Sequence, residues 1–205
     1  MVSERRYDAV GLAWEGVVAK RGPKAPDPLD AGLRAAHEYP AAGEVERRLR
    51  RAAAEGLLPE QALDRAIVAP EARQAALAAF WLATSQAWRA TSEARALLPS
   101  LRYRGYGAFI VSEIAPGAAW LGAWLQREGL AGYATIVEPP GREGVGPQLR
   151  SCGWTPERCL LVLPPASALA SALEGTEVVI VSLAPLSGPS PSVIRRLPEL
   201  NRFLQ

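Results

Sequence analysis

Residues 153–183, GWTPERCLLVLPPASALASALEGTEVVIVSL, carry the pattern that decides the fold. Two apolar runs of strand length, Leu160–Leu163 and Val178–Ser182, flank an alanine-rich stretch from Ala166 that is typical of a helix. Apolar strands that alternate with helices predict a parallel sheet with helices on both faces. In such folds the catalytic residues usually lie at the carboxyl ends of the strands. Here the first apolar run ends in Leu163, Pro164 and Pro165, and none of these side chains can transfer a proton.

The same alternation extends along most of the chain. Further strands are predicted within Asp8–Val18, at Ala108–Val111 and at Tyr133–Val137, with helices over Pro116–Arg127 and Val193–Phe203. Residues 21–97 lack strand-like runs, and Pro40, Pro59 and Pro70 stand where helices begin; the last helix is predicted over residues 71–97. We therefore predict an α/β fold: a Rossmann-like, five-stranded parallel core (residues 1–20 and 98–205) with an all-helical cap inserted after strand one (residues 21–97).

Composition excludes several classes of function. The formal net charge is +2, too small and too dispersed for a nucleic-acid-binding protein. No apolar run approaches the roughly 20 residues of a membrane helix. Two cysteines, Cys152 and Cys159, with no secretory signal predict reduced thiols in a cytoplasmic protein. An arginine-rich chain with a single asparagine is typical of a GC-rich genome or a thermophilic source.

Five segments, in this order, resemble the haloacid dehalogenase-like (HAD) superfamily, in the subgroup with a helical cap between its first and second motifs. RRYDAVGLAWEGVVA resembles the opening strand and its Asp-x-Asp-Gly loop, and LRYRGYGAFIVSEIAP resembles the strand that ends in Ser or Thr. LQREGLAGYATIVEPP is similar to the helix, turn and third strand, and residues 153–183 resemble the stretch around the fourth motif. The resemblance spans nearly the whole chain and implies a phosphatase or dehalogenase fold.

The residues at the family's reactive positions differ from its pattern. Alignment on Gly16 places Ala13 where the family has its nucleophilic Asp and Glu15 where it has its acid–base Asp. A methyl group has no lone pair, so covalent catalysis at Ala13 is excluded, whereas Glu15 can still carry a proton. Ser112 retains the hydroxyl of the second motif and is followed by Glu113.

The positions for phosphate and metal also differ. The family's lysine corresponds to Gly146–Pro147, and Arg142 or Arg150 is a candidate to replace its charge. The magnesium-binding acids correspond to Leu163 and Pro164. Because magnesium prefers several hard oxygen ligands, this comparison predicts that the metal site is lost and that the chain has no cofactor.

Trp14 lies between the two acid positions, and two interpretations remain open. It either fills space left by missing carboxylates and metal or forms a stacking platform for a planar ligand. The ligand-binding candidates are therefore Trp14, Glu15, Ser112, Glu113 and Arg142.

Three functional hypotheses follow. The first is a catalytically degenerate HAD-like protein, not an enzyme, that binds a small anionic ligand between core and cap or a protein partner. The alternative is a metal-independent hydrolase or lyase with relocated chemistry that uses Glu15, Ser112, Glu113 and Arg142. The third is a purely structural or oligomeric role.

Overall fold

A computed structural model describes residues 6–25, 27–37, 47–48, 51, 55, 59–113, 117–138, 145–165, 167, 176–181 and 192–204. The chain divides into two compact units: Met1–Lys20 with Ala90–Gln205 (unit 1), and Arg21–Arg89 (unit 2). None of the helices in the described part of the chain is both long and apolar enough to cross a membrane.

Between residues 88 and 163 the described strands and helices alternate. The strands are β1 Ala9–Ala13, β2 Ala19–Arg21, β3 Trp88–Ala90, β4 Gly107–Val111, β5 Thr135–Val137, β6 Cys159–Leu163, β7 Glu177–Val181 and β8 Ser192–Ile194. The helices are α1 Pro28–His37, α2 Pro59–Ala66, α3 Pro70–Ala87, α4 Ser92–Tyr103, α5 Ala118–Arg127 and α6 Gly146–Ser151, with 3₁₀ turns at Pro156–Arg158 and Leu197–Arg202. The helix predicted from Ala166 lies almost entirely outside the described residues.

Unit 1 is built on a six-stranded sheet in the order β5-β4-β1-β6-β7-β8. Every adjacent pair of strands is parallel. Each residue of β1 and β6 is buried, which matches their uninterrupted apolar sequences, because a parallel sheet is covered on both faces. The prediction of a Rossmann-like α/β fold with an inserted helical segment is confirmed.

The sheet has six strands where the sequence predicted five. Residues predicted as the final helix, Val193–Phe203, begin instead with β8 and continue as a 3₁₀ turn. Val193 and Ile194 are β-branched and pair with β7 at Ile180 and Val181. Pairing with this otherwise open edge satisfies backbone groups that a helix at this point would leave exposed on β7.

The long helix predicted over residues 71–97 is also wrong. It ends at Ala87, and Trp88 lies in β3, which pairs with β2. A new helix then starts at Ser92 because the Thr91 hydroxyl accepts a hydrogen bond from Ala94 N–H at 3.1 Å, which caps the helix amino end. The capping threonine was the sequence signal for this boundary.

Unit 2 has its own hydrophobic core between α1, α2 and α3. The buried residues are Ala36, Ala62, Leu63, Ala66, Ile67, Ala72, Ala76 and Phe80. Gly32 allows α1 to approach closely, because a Cβ at this position would lie 2.9 Å from Leu63 Cδ1 and 3.0 Å from the Ala76 carbonyl oxygen. The lack of a side chain at Gly32 thus allows α1 to pack closely against α2 and α3.

The strand order reverses at the centre of the sheet. From β1 the chain continues to β4 and β5 on one side, and later to β6, β7 and β8 on the other. Ligands of open α/β sheets bind at the carboxyl ends of the strands where the order reverses. That point here lies at the ends of β4, β1 and β6.

Candidate active site

The loop after β1 folds back tightly at this point of the sheet. Val18 N–H donates to the Ala13 carbonyl at 3.1 Å, which closes a turn around Glu15. Gly16 has a φ of +75°, a conformation that side chains disfavour, and a Cβ there would lie 3.2 Å from Pro164 Cβ. The turn therefore brings the end of β6 next to the loop that carries Glu15.

Four polar side chains meet beside this turn. The Ser112 hydroxyl donates a short hydrogen bond to Glu15 Oε1, and Glu113 N–H donates to the same oxygen at 3.0 Å. The Ser167 hydroxyl donates to Glu113 Oε1. The structure thus brings together three of the predicted residues, Glu15, Ser112 and Glu113, in one hydrogen-bonded cluster.

Ser112 is almost fully buried, whereas Glu15, Glu113 and Ser167 are partly exposed. The Ser112 hydroxyl holds the Glu15 carboxylate in one orientation, with Oε2 buried and the residue as a whole partly exposed. Glu15 is therefore a fixed carboxylate that can exchange a proton with a group that reaches it.

Trp14 faces the interior. Its ring is fully buried and makes edge-to-face contacts with Trp120 and Trp124, at centroid distances of 5.4 and 5.3 Å. Such pairs add stability beyond the area they bury. The structure places Trp14 as packing under the site, and a ring so enclosed presents no face on which a planar ligand could stack.

The remaining predicted positions carry no reactive side chain. Ala13 and Leu163 are buried, and Pro164 is half-buried against the Gly16 turn. Arg142 lies outside the described residues. Gly146 begins α6, and a Cβ built there would lie 3.4 Å from Arg150 Nη2. The Arg150 guanidinium is therefore beside the position that the resemblance assigned to a lysine.

Sequence reasoning missed Ser167. The residue lies four positions after β6, in the alanine-rich stretch predicted as a helix, where a serine gives no signal of function. Only its contact with Glu113, 54 residues earlier, brings it into the cluster.

The donor set determines whether a metal ion fits here. The described residues contain no group of three or more His, Cys, Asp or Glu side chains placed to hold an ion. Magnesium is, however, often held by one or two carboxylates together with water and substrate oxygens. Within the cluster, Glu113 is the residue that fits this second arrangement, because Glu15 Oε1 accepts two hydrogen bonds and Glu15 Oε2 is buried.

Comparison with known proteins establishes the fold. No protein-family model and no curated protein sequence matches the chain. Among solved structures, a HAD-superfamily hydrolase from Geobacter sulfurreducens is 15% identical, covers 98% of both chains and has a TM-score of 0.60. A HAD-family hydrolase from Deinococcus radiodurans, with bound phosphate and sodium, is 17% identical, covers 95% of this chain and 93% of its own, and has a TM-score of 0.59.

A third structure is that of a Bacillus subtilis protein named as a HAD-hydrolase and bound to magnesium. It is 14% identical, covers 97% of this chain and 99% of its own, and has a TM-score of 0.64. Identities this low show the fold alone, and that fold is the HAD-like fold predicted from the sequence.

Two predictions are corrected by these comparisons. The chain was predicted not to be an enzyme, but the solved structures that share its fold along nearly their full length include several that are named as hydrolases. It was predicted to have no cofactor and no metal, but two of these structures contain sodium or magnesium. Both predictions rested on the residues at the family's reactive positions, Ala13, Leu163 and Pro164, which differ from the family pattern.

Proposed function

We propose that this chain is a hydrolase of small anionic esters, in which Glu15 is the acid–base residue. The observation that carries the proposal is the convergence of the Ser112 hydroxyl and the Glu113 N–H on Glu15 Oε1 at the carboxyl ends of β1 and β4. Two donors on one carboxylate oxygen fix its position, and proton transfer in a transition state requires such a fixed group.

The reaction that this arrangement supports is direct attack by water. Glu15 accepts a proton as the water oxygen bonds to the electrophilic centre, and it then returns that proton to the leaving oxygen as the ester bond breaks. No covalent intermediate forms at Ala13, because its methyl group cannot bond to the substrate. The products are the acid and the alcohol, and Glu15 ends in its initial protonation state.

Charge on the substrate would be balanced by a cation and by an arginine. Glu113 would hold a divalent cation together with water and substrate oxygens, and the ion when bound would supply Lewis-acid polarisation of a substrate oxygen. The Arg150 guanidinium, beside Gly146, is our candidate for binding the anionic group, since guanidinium binds phosphate with two parallel hydrogen bonds. The phosphate bound by the D. radiodurans hydrolase of the same fold makes phosphate esters the first class to test.

The test is a turnover assay of the purified chain against phosphate monoesters, carboxylate esters and haloacids, each with and without magnesium. Glu15→Gln keeps the size and hydrogen-bonding capacity of the side chain but cannot take the proton. We expect it to lower kcat by about 10²- to 10⁴-fold. Glu157→Gln, an exposed residue of the same unit at the opposite edge of the sheet, is the matched control and should leave kcat unchanged.

Two results would contradict the proposal. Equal kcat in the wild type and Glu15→Gln would remove Glu15 from the chemistry. Absence of turnover across all three substrate classes, with the protein folded, would reject hydrolysis itself.

A further inference from the structure

Three tryptophans of unit 1 meet beside the candidate active site. Trp14 directly precedes Glu15 in the loop after β1, and Trp120 and Trp124 lie one turn apart on α5. The ring centroid of Trp14 is 5.4 Å from that of Trp120 and 5.3 Å from that of Trp124, with interplanar angles of 84° and 87°. These are the edge-to-face arrangements that aromatic rings favour. Two side chains of α5 therefore hold one ring of the loop that carries the proposed base.

The Trp14 ring is enclosed, and its main chain is held as well. Trp14 and Trp124 are buried, and Trp120 is half-buried. In a close-packed interior a ring moves only if its neighbours move with it. The Trp14 N–H donates to the Val111 carbonyl at 2.8 Å, and the Trp14 carbonyl accepts from Ala19 N–H at 2.8 Å. The position of this residue thus depends on both its ring contacts and its backbone hydrogen bonds.

The carboxyl end of α5 is anchored by a buried ionic cluster. Glu128 directly follows the helix, and its side chain is only 4% exposed. Its carboxylate accepts hydrogen bonds from the guanidinium groups of Arg95 and Arg127 and from Ala90 N–H at 3.0 Å. A buried carboxylate that has such partners is costly to separate from them. The helix is therefore a fixed support for the two tryptophans that it carries.

The Glu15 carboxylate depends on this support. Its two donors, the Ser112 hydroxyl and Glu113 N–H, follow β4, whereas Glu15 itself follows β1. These hydrogen bonds form only while the loop holds the carboxylate at the correct distance from the end of β4. Because Trp14 and Glu15 are consecutive residues, a shift of the Trp14 ring also shifts the backbone that carries the carboxylate. A misplacement of about 1 Å can lower the rate of a reaction about 10²-fold.

We propose that Trp120 and Trp124 are positioning residues for the hydrolysis: through Trp14 they hold Glu15 where its two hydrogen-bond donors reach it. The inference rests on the proposed function, since it takes Glu15 as the acid–base residue. In this role the rings act through the backbone of the loop and not by contact with the substrate. Changes on this face of α5 should therefore lower kcat and leave substrate binding unaffected.

Steady-state kinetics of Trp120→Phe tests this separation. Phenylalanine keeps an aromatic ring but is too small to make the same contact with Trp14, so kcat should fall about tenfold while KM changes by less than about twofold. Trp154→Phe is the matched control in the same unit. Trp154 is also half-buried, but it stacks on Phe109 at 5.9 Å and lies against Gly107, at the start of β4. That variant should leave both constants unchanged.

A double-mutant cycle determines whether Trp120 acts through Glu15. In the Glu15→Gln background the carboxylate can no longer take a proton, so the addition of Trp120→Phe should lower kcat by less than about twofold further. Two effects that multiply would give Trp120 a separate role. A raised KM with an unchanged kcat in Trp120→Phe would place its ring against the substrate. Either result would overturn the proposal.

Hydrogen exchange, followed by NMR on the folded proteins, gives a readout that does not need turnover. Glu113 N–H is protected by its hydrogen bond to Glu15 Oε1. It should exchange about tenfold faster in Trp120→Phe, and also in the second variant Trp124→Phe, than in the wild type. In Trp154→Phe its exchange should be unchanged. Unchanged exchange in both α5 variants would overturn the positioning role.

The two measurements separate this inference from the proposed function. Equal kcat in the wild type and Glu15→Gln, with faster exchange of Glu113 N–H in Trp120→Phe, would contradict the proposed function and show that the tryptophans still set the geometry of the loop. Lost activity in Glu15→Gln, with unchanged exchange in Trp120→Phe, would contradict the positioning role alone.

Discussion

The two edges of the central sheet in unit 1 carry polar residues in different ways. At the amino edge, Arg158 donates two hydrogen bonds to Asp8, at 2.7 and 2.9 Å, just before β6 and β1 begin. At the carboxyl edge, Glu15 accepts hydrogen bonds from a hydroxyl and a backbone N–H. A carboxylate that forms an ion pair with a guanidinium connects two strands. A carboxylate held by neutral hydrogen-bond donors keeps its negative charge and can take up a proton.

A second pair of hydrogen-bonded side chains lies at the amino edge. The Tyr7 hydroxyl donates to Glu177 at 2.5 Å, and burial, together with this carboxylate, raises the pKa of Tyr7 well above its ordinary value. The hydroxyl therefore stays protonated and links the start of the chain to β7. Polar groups at this edge stabilise the fold, and those at the carboxyl edge are the candidates for function.

The largest effect on stability should come from the middle of the sheet, between the two edges. A Cβ at Gly11 would lie 2.3 Å from two ring atoms of Phe109 and 2.8 Å from Leu161 Cδ1. Gly11→Ala should therefore cost about 3 kcal/mol, which for a chain of this length lowers Tm by roughly 6–12 °C.

The matched control for this change is Gly122→Ala in α5. Its Cβ would meet Ile136 Cδ1 at 3.5 Å, an ordinary contact, and alanine favours a helix more than glycine does. Thermal unfolding should show a Tm equal to or above that of the wild type. Equal decreases in Tm in both variants would show that the space around the added Cβ does not determine the cost of the substitution.

The carboxyl edge should affect rate more than stability. Ser112→Ala removes one of the two donors to Glu15 Oε1. We expect kcat to fall about tenfold, because the lost charge-assisted hydrogen bond helps to position the base. Ser151→Ala is the control, because that exposed hydroxyl bonds only locally to the Gln148 carbonyl. A normal kcat in Ser112→Ala would show that Glu113 N–H alone positions Glu15.

The amino edge should show the opposite behaviour. Asp8→Ala breaks the pair with Arg158, and because both side chains are 39% exposed the cost should be only about 1 kcal/mol. Urea unfolding should show the lower stability, while kcat with the best substrate stays unchanged. A drop in kcat without a drop in stability would contradict the structural role assigned to the amino edge.

The effect that is smallest at neutral pH concerns the thiol at the start of β6. Burial, with the nearby charges of Asp8 and Glu157, raises the pKa of Cys159 to about 11. The unfolded chain ionises this thiol from about pH 8.5, so the free energy of unfolding should fall as pH rises through that window, by up to about 1.4 kcal/mol per unit.

Urea unfolding at several alkaline pH values, compared between the wild type and Cys159→Ser, measures this slope. In Cys159→Ser the free energy of unfolding should fall less steeply with pH than in the wild type. Identical slopes in the two proteins would contradict the prediction. A thiol reagent at pH 8 should label the exposed Cys152 at once and Cys159 only after unfolding.

Much of the architecture could be predicted because apolar runs are local signals. Each buried strand of the central sheet, such as β1 and β6, is an uninterrupted apolar segment, and its place between helices implies a parallel sheet. The errors lie where tertiary contacts decide. Ser192–Ile194 forms a strand because it pairs with the edge of β7, and α3 ends at Ala87 because Trp88–Ala90 pairs with β2.

The candidate site was partly predictable for a related reason. Glu15 and Ser112 follow strands directly, so their place at the carboxyl edge can be read from the sequence. The sequence alone determined the fold, the charge balance and the absence of a nucleophile at Ala13. Only the tertiary structure decided that Glu113 and Ser167 complete the cluster and that Trp14 is buried, because these contacts join residues up to 110 positions apart and depend on how helices and strands pack.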